Sequence, residues 1–293
     1  MTRRWKRGLL AGALASVLLV VAGSFGFATM LVKPANHRVV LPADFPAERV
    51  EIPGDGRAVA GSWRDVGDDS PVVLLLHGFR GDRASMVPRA RVLLDAGFSV
   101  LLIDTQAHGE TPGEIITLGW RESRDVRAAR DWIRARAPGR CVGAIGVSLG
   151  GAAVLLGEQP AGFDAIVLEA VYPRLGRALD NRIGISAGWL RKALAPLLLV
   201  QIEPRLGVTP AQLEPIRNIA KLGAPVLVVG GSRDAHTTEE ETRELFAAAA
   251  KPKDLWIVDG AGHQDFARFD RSGYEAAVVG FLTRHLDARE SPR

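Results

Sequence analysis

One cysteine, Cys141, stands in 293 residues, so no intrachain disulfide framework and no cysteine-based zinc site can form. Within a β-like apolar run it reads as a buried filler rather than a reactive thiol. The sequence has no G-x-G-x-x-G fingerprint, no P-loop and no H-E-x-x-H pair, which removes the usual dinucleotide, nucleotide-phosphate and zinc-peptidase sites. No metal or organic cofactor is expected. Internal repeats and low-complexity linkers are missing too. Net positive charge is lacking outside the N-terminus: the formal net charge is +4, and Arg3, Arg4, Lys6 and Arg7 account for all of it. The remainder is close to neutral, so a nucleic-acid footprint is not supported. From Gly8 to Val32 charge is absent altogether.

That uncharged stretch is rich in Leu, Val and Ala, and as a helix it is long enough to cross a bilayer core of about 30 Å. The basic residues ahead of it stay on the cytoplasmic side and send the rest of the chain across. The expectation is a cytoplasmic stub and transmembrane anchor over residues 1–33, with the membrane as partner through residues 8–32. A cleavable signal peptide, with Gly26 and Ala28 before the cut, is the alternative and would give a secreted protein. Arg3-Arg4 hints at a twin-arginine signal, but Trp5-Lys6-Arg7 does not continue it.

The whole chain is 47% hydrophobic with ordinary charge content, and residues 34–293 are enough for one packed domain. Disorder is expected only at Arg289 to Arg293. Residues 38–66 read as two strands turning at Pro53-Gly54-Asp55-Gly56. Buried strands are expected at Val72–Leu76, Phe98–Ile103, Cys141–Val147, Asp164–Leu168, Val226–Val229 and Leu255–Val258. Helices are expected at Ser85–Ala96, Arg121–Arg136, Leu149–Glu158 and Thr238–Ala250. Val126, Ala129 and Ile133 keep helical spacing against a charged face, and Thr238 with Glu241 forms a capping box. Alternating strands and helices predict a mostly parallel sheet covered on both faces. Between residues 172 and 222 the rhythm breaks. Helical pieces around Gly188–Val200 and Pro210–Ile219 predict a small cap inserted between two strands.

Gly146-Val147-Ser148-Leu149-Gly150 fits G-x-S-x-G between an apolar strand and a helix. A serine on that tight turn needs small neighbours, and its strained backbone lifts the hydroxyl. The helix N-terminus behind it favours developing negative charge. Ser148 is the candidate nucleophile. Two backbone N–H groups should form an oxyanion hole: that of Leu149, and that of Phe79 in His77-Gly78-Phe79-Arg80-Gly81-Asp82, where Gly78 would allow close backbone approach. Asp82 also suits a helix N-cap. A serine nucleophile needs a base and an orienting acid, and where the serine sits on a strand–turn–helix of this kind the acid and then the histidine follow it in the chain. After Ser148 come His236, His263 and His285. His263 lies in the flexible loop Asp259-Gly260-Ala261-Gly262-His263 and is the preferred base. His236 is the minority candidate for base or substrate contact, and His285 sits late in a terminal helix. Asp234, after Gly230-Gly231-Ser232-Arg233, is the preferred acid over Asp259 or Asp265.

HGFRGD (77–82), DTQAHGET (104–111), GVSLG (146–150), GGSRD (230–234) and GAGH (260–263) occur together in one order and spacing. In that respect residues 70–286 resemble the α/β-hydrolase superfamily. DTQAHGET is similar to the family turn D-x-R-G-H-G-x-S, with Gln106-Ala107 in place of Arg-Gly. The resemblance makes His108 a structural histidine. With Gly119-Trp120-Arg121-Glu122 and Asp125, the chain is most similar to the membrane-anchored branch of BEM46-like or YqkD-like hydrolases, which resemble the serine aminopeptidase grouping. Some such relatives act on thioesters of lipidated proteins. The fold implied is an α/β-hydrolase sheet with a helical cap behind one transmembrane helix.

The activity implied is a serine hydrolase cleaving an ester or thioester with an apolar acyl group, its catalytic domain on the non-cytoplasmic side. Trp189, Leu190 and Leu197-Leu198-Leu199-Val200 would line an acyl pocket or simply pack as helix core. Two alternatives stay open. An exopeptidase would use a cap acid such as Glu203 or Glu214 to hold a substrate amine. A tethered binding protein would keep the scaffold without turnover. Oligomeric state is not legible.

Overall fold

The computed structural model describes residues 3–188 and 191–286. Its centre is a sheet of β1 (Glu48–Pro53), β2 (Ala58–Arg64), β3 (Val72–Leu76), β4 (Ser99–Ile103), β5 (Val142–Val147), β6 (Ala165–Glu169), β7 (Val226–Gly231) and β8 (Lys253–Val258). In space the order is β8-β7-β6-β5-β3-β4-β2-β1. Neighbours from β8 through β4 run parallel, and β2 and β1 close one edge antiparallel. The β1–β2 turn falls where Pro53–Gly56 predicts it: Gly54 N donates to Arg57 O at 2.9 Å.

All residues of β3, β4, β6 and β7 are buried, whereas the edge strand β8 is only half-covered. This explains the near-continuous apolar runs of the inner strands. Alternation sends Val72, Leu74 and Leu76 to one face, against α3 (Glu122–Arg136) and α4 (Leu149–Leu155). Val73 and Leu75 point to the other, against α2 (Val87–Asp95) and the C-terminal helix Gly280–Leu286. Each fully buried Leu or Val there contributes about 1.5–3 kcal/mol.

Several boundaries differ from expectation for local reasons. The helix expected at Ser85–Ala96 is a 3₁₀ turn, Arg83–Met86, followed by α2, because Pro88 fixes the start of the α-helix. Asp82 caps that turn, accepting from Ala84 N and Ser85 N. The cap opens with α5 (Leu175–Ala187), a helix that lies ahead of Gly188 and ends there, and continues with α6 (Arg191–Leu199) and α7 (Ile202–Leu206). The piece expected as a helix at Pro210–Ile219 is a run of 3₁₀ turns, since Pro210 and Pro215 each remove a donor. Thr238 and Glu241 form the expected capping box on α8 (Glu239–Ala248). Cys141 is half-buried and sits one residue before β5 rather than inside it. Arg289 to Arg293 lie outside the described residues. Ahead of the sheet stands α1 (Arg3–Val32), whose portion from Leu9 is long and apolar enough to cross a membrane.

Candidate active site

Ser148 sits between β5 and α4 with φ 49° and ψ −108°, a strained conformation for a residue with a Cβ. Its N–H is held by the carbonyl of Glu169 at 2.8 Å. The turn tolerates no side chain on either flank. A Cβ on Gly146 would stand 2.5 Å from the backbone of Gly151, and one on Gly150 would stand 2.6 Å from the carbonyl of Leu76. Gly150→Ala is therefore expected to cost about 1–3 kcal/mol or more, because central-strand backbone cannot give way. Thermal melting checks this, and an unchanged Tm would refute the steric reading.

His263 and Asp234 are brought together from the loops after β8 and β7. His263 Nδ1 lies 2.8 Å from Asp234 Oδ2. Asp234 is buried, and its Oδ1 accepts from His236 N at 2.7 Å and Thr237 N at 3.0 Å. An ionised carboxylate only accepts, so Nδ1 is the donor, and in the neutral form of the ring Nε2 presents its lone pair. Among the described residues neither Nε2 nor the Ser148 hydroxyl has a hydrogen-bond partner, and both residues line the same cavity. Such contacts are commonly loose without substrate.

Asp259, Asp265 and His285 are engaged elsewhere. Asp259 accepts from Ser232 Oγ at 3.2 Å, while Asp265 caps a short helix and pairs with Arg89 at 3.2 Å. His285 packs its ring on Phe281. The His236 ring lies 4.9 Å from the His263 ring, tilted by 55°, and its buried Nδ1 has no partner. Burial, then the neighbouring His263 and Arg182, lowers its pKa. With no carboxylate on its ring, His236 lacks the orienting group a base needs. His108 is buried, its Nδ1 on Gln106 O at 2.9 Å, and burial with the adjacent His77 pushes its pKa down to about 4. His77 in turn accepts from Thr105 N at 3.1 Å. These two rings bind loops 77–79 and 104–109 to each other.

The N–H groups of Phe79 and Leu149 donate to no acceptor among the described residues and so remain open to a ligand. Gly78 differs from expectation. A Cβ there would meet Val147 and Ser148 only at 3.7–3.8 Å, an ordinary contact, so close approach does not require that glycine.

A narrow apolar cavity of about 50 Å³ opens beside Ser148. The cap wall is α5, which presents Leu175, Ala178, Leu179 and Arg182 at helical spacing. Leu118 faces α5 from a loop at φ 55° that buried Glu122 ties down, accepting from Thr117 N at 2.7 Å and Gly119 N at 3.0 Å. Tyr172 donates to Leu118 O at 3.0 Å from the same wall. A second, more polar cleft on the other side of Ser148 is lined by Arg182, His236, Gln264 and Arg268. Arg182 forms no salt bridge among the described residues and lies over the Phe79 ring at 5.4 Å.

Leu197 to Val200 do not line the cavity: Leu198 belongs to the core and Val200 is 71% exposed. Trp189 and Leu190 lie outside the described residues. Glu203 is exposed and Glu214 pairs with Arg217, so neither faces Ser148. The α5 wall escaped the sequence reading although its spacing was visible; Leu118 and Leu31, which also reaches the cavity, carried no local signal. Among the described residues no cluster of three or more His, Cys, Asp or Glu could hold a metal.

Residues 73–277 match the profile of the Alpha/beta hydrolase family. The uncharacterised protein Rv2307c of Mycobacterium tuberculosis is 33% identical over 226 residues, covering 74% of this chain and 71% of its own. YqkD of Bacillus subtilis is 23% identical over 76% of this chain and 74% of its own. The Pyrococcus furiosus esterase Pf2001 is similar in structure, with a TM-score of 0.71 over 87% of this chain and 98% of its own at 24% identity.

Proposed function

The chain belongs to the Alpha/beta hydrolase family, and from that premise we propose that it is a membrane-anchored serine hydrolase cleaving an ester or thioester with an apolar acyl group. The observation that carries the reading is the 2.8 Å contact of His263 with buried Asp234 beside a strained Ser148. Ser148 Oγ attacks the acyl carbonyl and gives its proton to His263 Nε2. Asp234 stabilises the resulting imidazolium. The N–H groups of Phe79 and Leu149 receive the oxyanion, aided by the N-terminus of α4. Collapse transfers the proton to the leaving oxygen or sulfur and leaves an acyl-serine. Water, deprotonated by the same histidine, then releases the acid.

The apolar cavity takes the acyl chain, and the cleft of Arg182, His236 and Arg268 takes the polar leaving group. A peptide amine finds no carboxylate on either side among the lining residues except Asp265, which Arg89 already pairs. Ester hydrolysis is favoured for that reason. The full chain in detergent is expected to prefer p-nitrophenyl hexanoate or octanoate over acetate. Each buried methylene contributes about 0.8 kcal/mol at most, so kcat/KM should rise about 10–100-fold across that range. A preference for acetate would sink the acyl-cavity assignment.

The basic Arg3, Arg4, Lys6 and Arg7 ahead of α1 support an anchor with the catalytic domain on the non-cytoplasmic side. A cut after Ala28 would sever α1 between Ala28 and Val32, both buried in the domain core, which favours an uncleaved anchor over a signal peptide.

A further inference from the structure

Most of α1 is exposed, but its last turns are not. Ser24, Ala28 and Val32 recur every four residues, and all three are buried. On a helix that spacing makes one narrow stripe. Ala28 and Val32 join the core cluster that holds Ala195 and Leu198 of α6. Polar contacts lock the stripe in place. Gln201 Nε2 donates to Ser24 Oγ at 3.3 Å, and Arg205 donates to Thr29 Oγ1 at 3.0 Å and to Phe25 O at 3.1 Å. Arg80 donates to Met30 O at 3.1 Å, and Ile116 N to Val32 O at 2.8 Å. Beside this stripe Leu31 enters the cavity next to Ser148, with Phe79 and Leu118.

Helix length adds a second constraint. A hydrocarbon core of about 30 Å needs about 20 helical residues. The undocked apolar part, Leu9 to Gly23, reaches only about 22 Å. A full span must therefore draw on the docked turns as far as residue 28 or so. Leu31 then stands within about one helical turn of the hydrocarbon edge. Phe25, Phe27 and Met30 on the docked half, with Ile185 and Val200 of the cap, are exposed apolar side chains suited to that depth.

We propose that the end of α1 is part of the substrate site: Leu31 forms a wall of the acyl cavity, and the docked turns hold the cavity at the bilayer surface so that the acyl chain enters from lipid. The proposal rests on the hydrolase reading above and adds a specificity-determining residue from the anchor itself. It also makes removal of α1 more than a loss of tethering, because a chain beginning at Pro34 would lack one cavity wall and the partner of α6.

The test uses the full chain in nanodiscs, with Leu31→Trp and Leu31→Ala compared with Leu19→Ala, an exposed change on the same helix. Leu31→Trp is expected to lower kcat/KM for the octanoyl ester at least tenfold while acetate changes less than twofold. Leu31→Ala should move the optimum to longer chains, and Leu19→Ala should match the wild type. A long-chain ester held in the nanodisc should turn over in proportion to its mole fraction in lipid. Uniform loss on all esters, or an unchanged profile, would mean that Leu31 only stabilises the fold. A rate that follows bulk concentration would overturn entry from lipid. Fluorophosphonate labelling of Ser148 is read on each variant. Labelling with an unchanged profile overturns this inference alone, whereas an unlabelled, inert wild type removes the hydrolase reading and this inference with it.

Discussion

Ser148→Ala is expected to reduce kcat by about 10⁴-fold or more and to abolish fluorophosphonate labelling, with almost no change in stability. The separation of the two effects follows from the local geometry. Alanine keeps the Cβ, so the strain at φ 49° stays as it is. The hydroxyl has no hydrogen-bond partner among the described residues, so its removal leaves no buried group unpaired. Tm should remain within about 2 °C, since a domain of this size moves only 2–4 °C per kcal/mol. His263→Ala should fall into the same class of loss. His236→Ala should lose less than tenfold, because its ring has no acid to orient it. Steady-state kinetics on the three variants, with melting curves beside them, decide the matter. More than a few per cent of activity left in Ser148→Ala would rule out this serine as the nucleophile.

The second large effect is on stability. Arg89 is 3% exposed and donates through Nε and a terminal nitrogen to Glu169 Oε2 at 2.9 and 2.6 Å, while Tyr274 donates its hydroxyl to Oε1 at 2.7 Å. Glu169 is fully buried, and its backbone carbonyl holds the N–H of Ser148. Burial and the adjacent Glu169 raise the Tyr274 pKa well above its ordinary value, so the hydroxyl stays a donor at neutral pH. Arg89→Met would leave the Glu169 carboxylate without its cation in a dry interior. The expected cost is about 3–5 kcal/mol, or roughly 10 °C in Tm. Adding Glu169→Gln removes the stranded charge and should recover at least half of the loss. Urea denaturation of the single and double variants tests this directly. A single variant that unfolds with the wild type, or a double variant no better than the single, would show that the pair carries no such charge imbalance.

Different parts of this molecule were legible in the sequence to different degrees, and the residues explain why. β3 is expected at Val72–Leu76 and is found there, because a central parallel strand buried on both faces must be apolar throughout. The elbow was equally plain, since Gly146 and Gly150 each stand where a Cβ would strike backbone under 3 Å away. Ser148, Asp234 and His263 could be picked out as candidates because each follows a strand that an apolar run located. Gly78 shows the limit of such reasoning: it resembles the elbow glycines in sequence, yet the space beside it is ordinary. The cap was the weakest part. Prolines at 210 and 215 broke an expected helix into 3₁₀ turns, and α5 was overlooked where it carries the cavity wall.

What the sequence determined by itself is therefore what short-range sterics and burial periodicity encode: the strands, the strained serine, the candidate acid and base after it, and an apolar N-terminal helix. Tertiary structure alone decided what surrounds that serine. Leu31, Leu118, Leu179 and His236 come from four separate segments to line one cavity, and Arg89 meets Glu169 across 80 positions of chain. Each of those contacts depends on where distant elements pack, and no local pattern of residues constrains that.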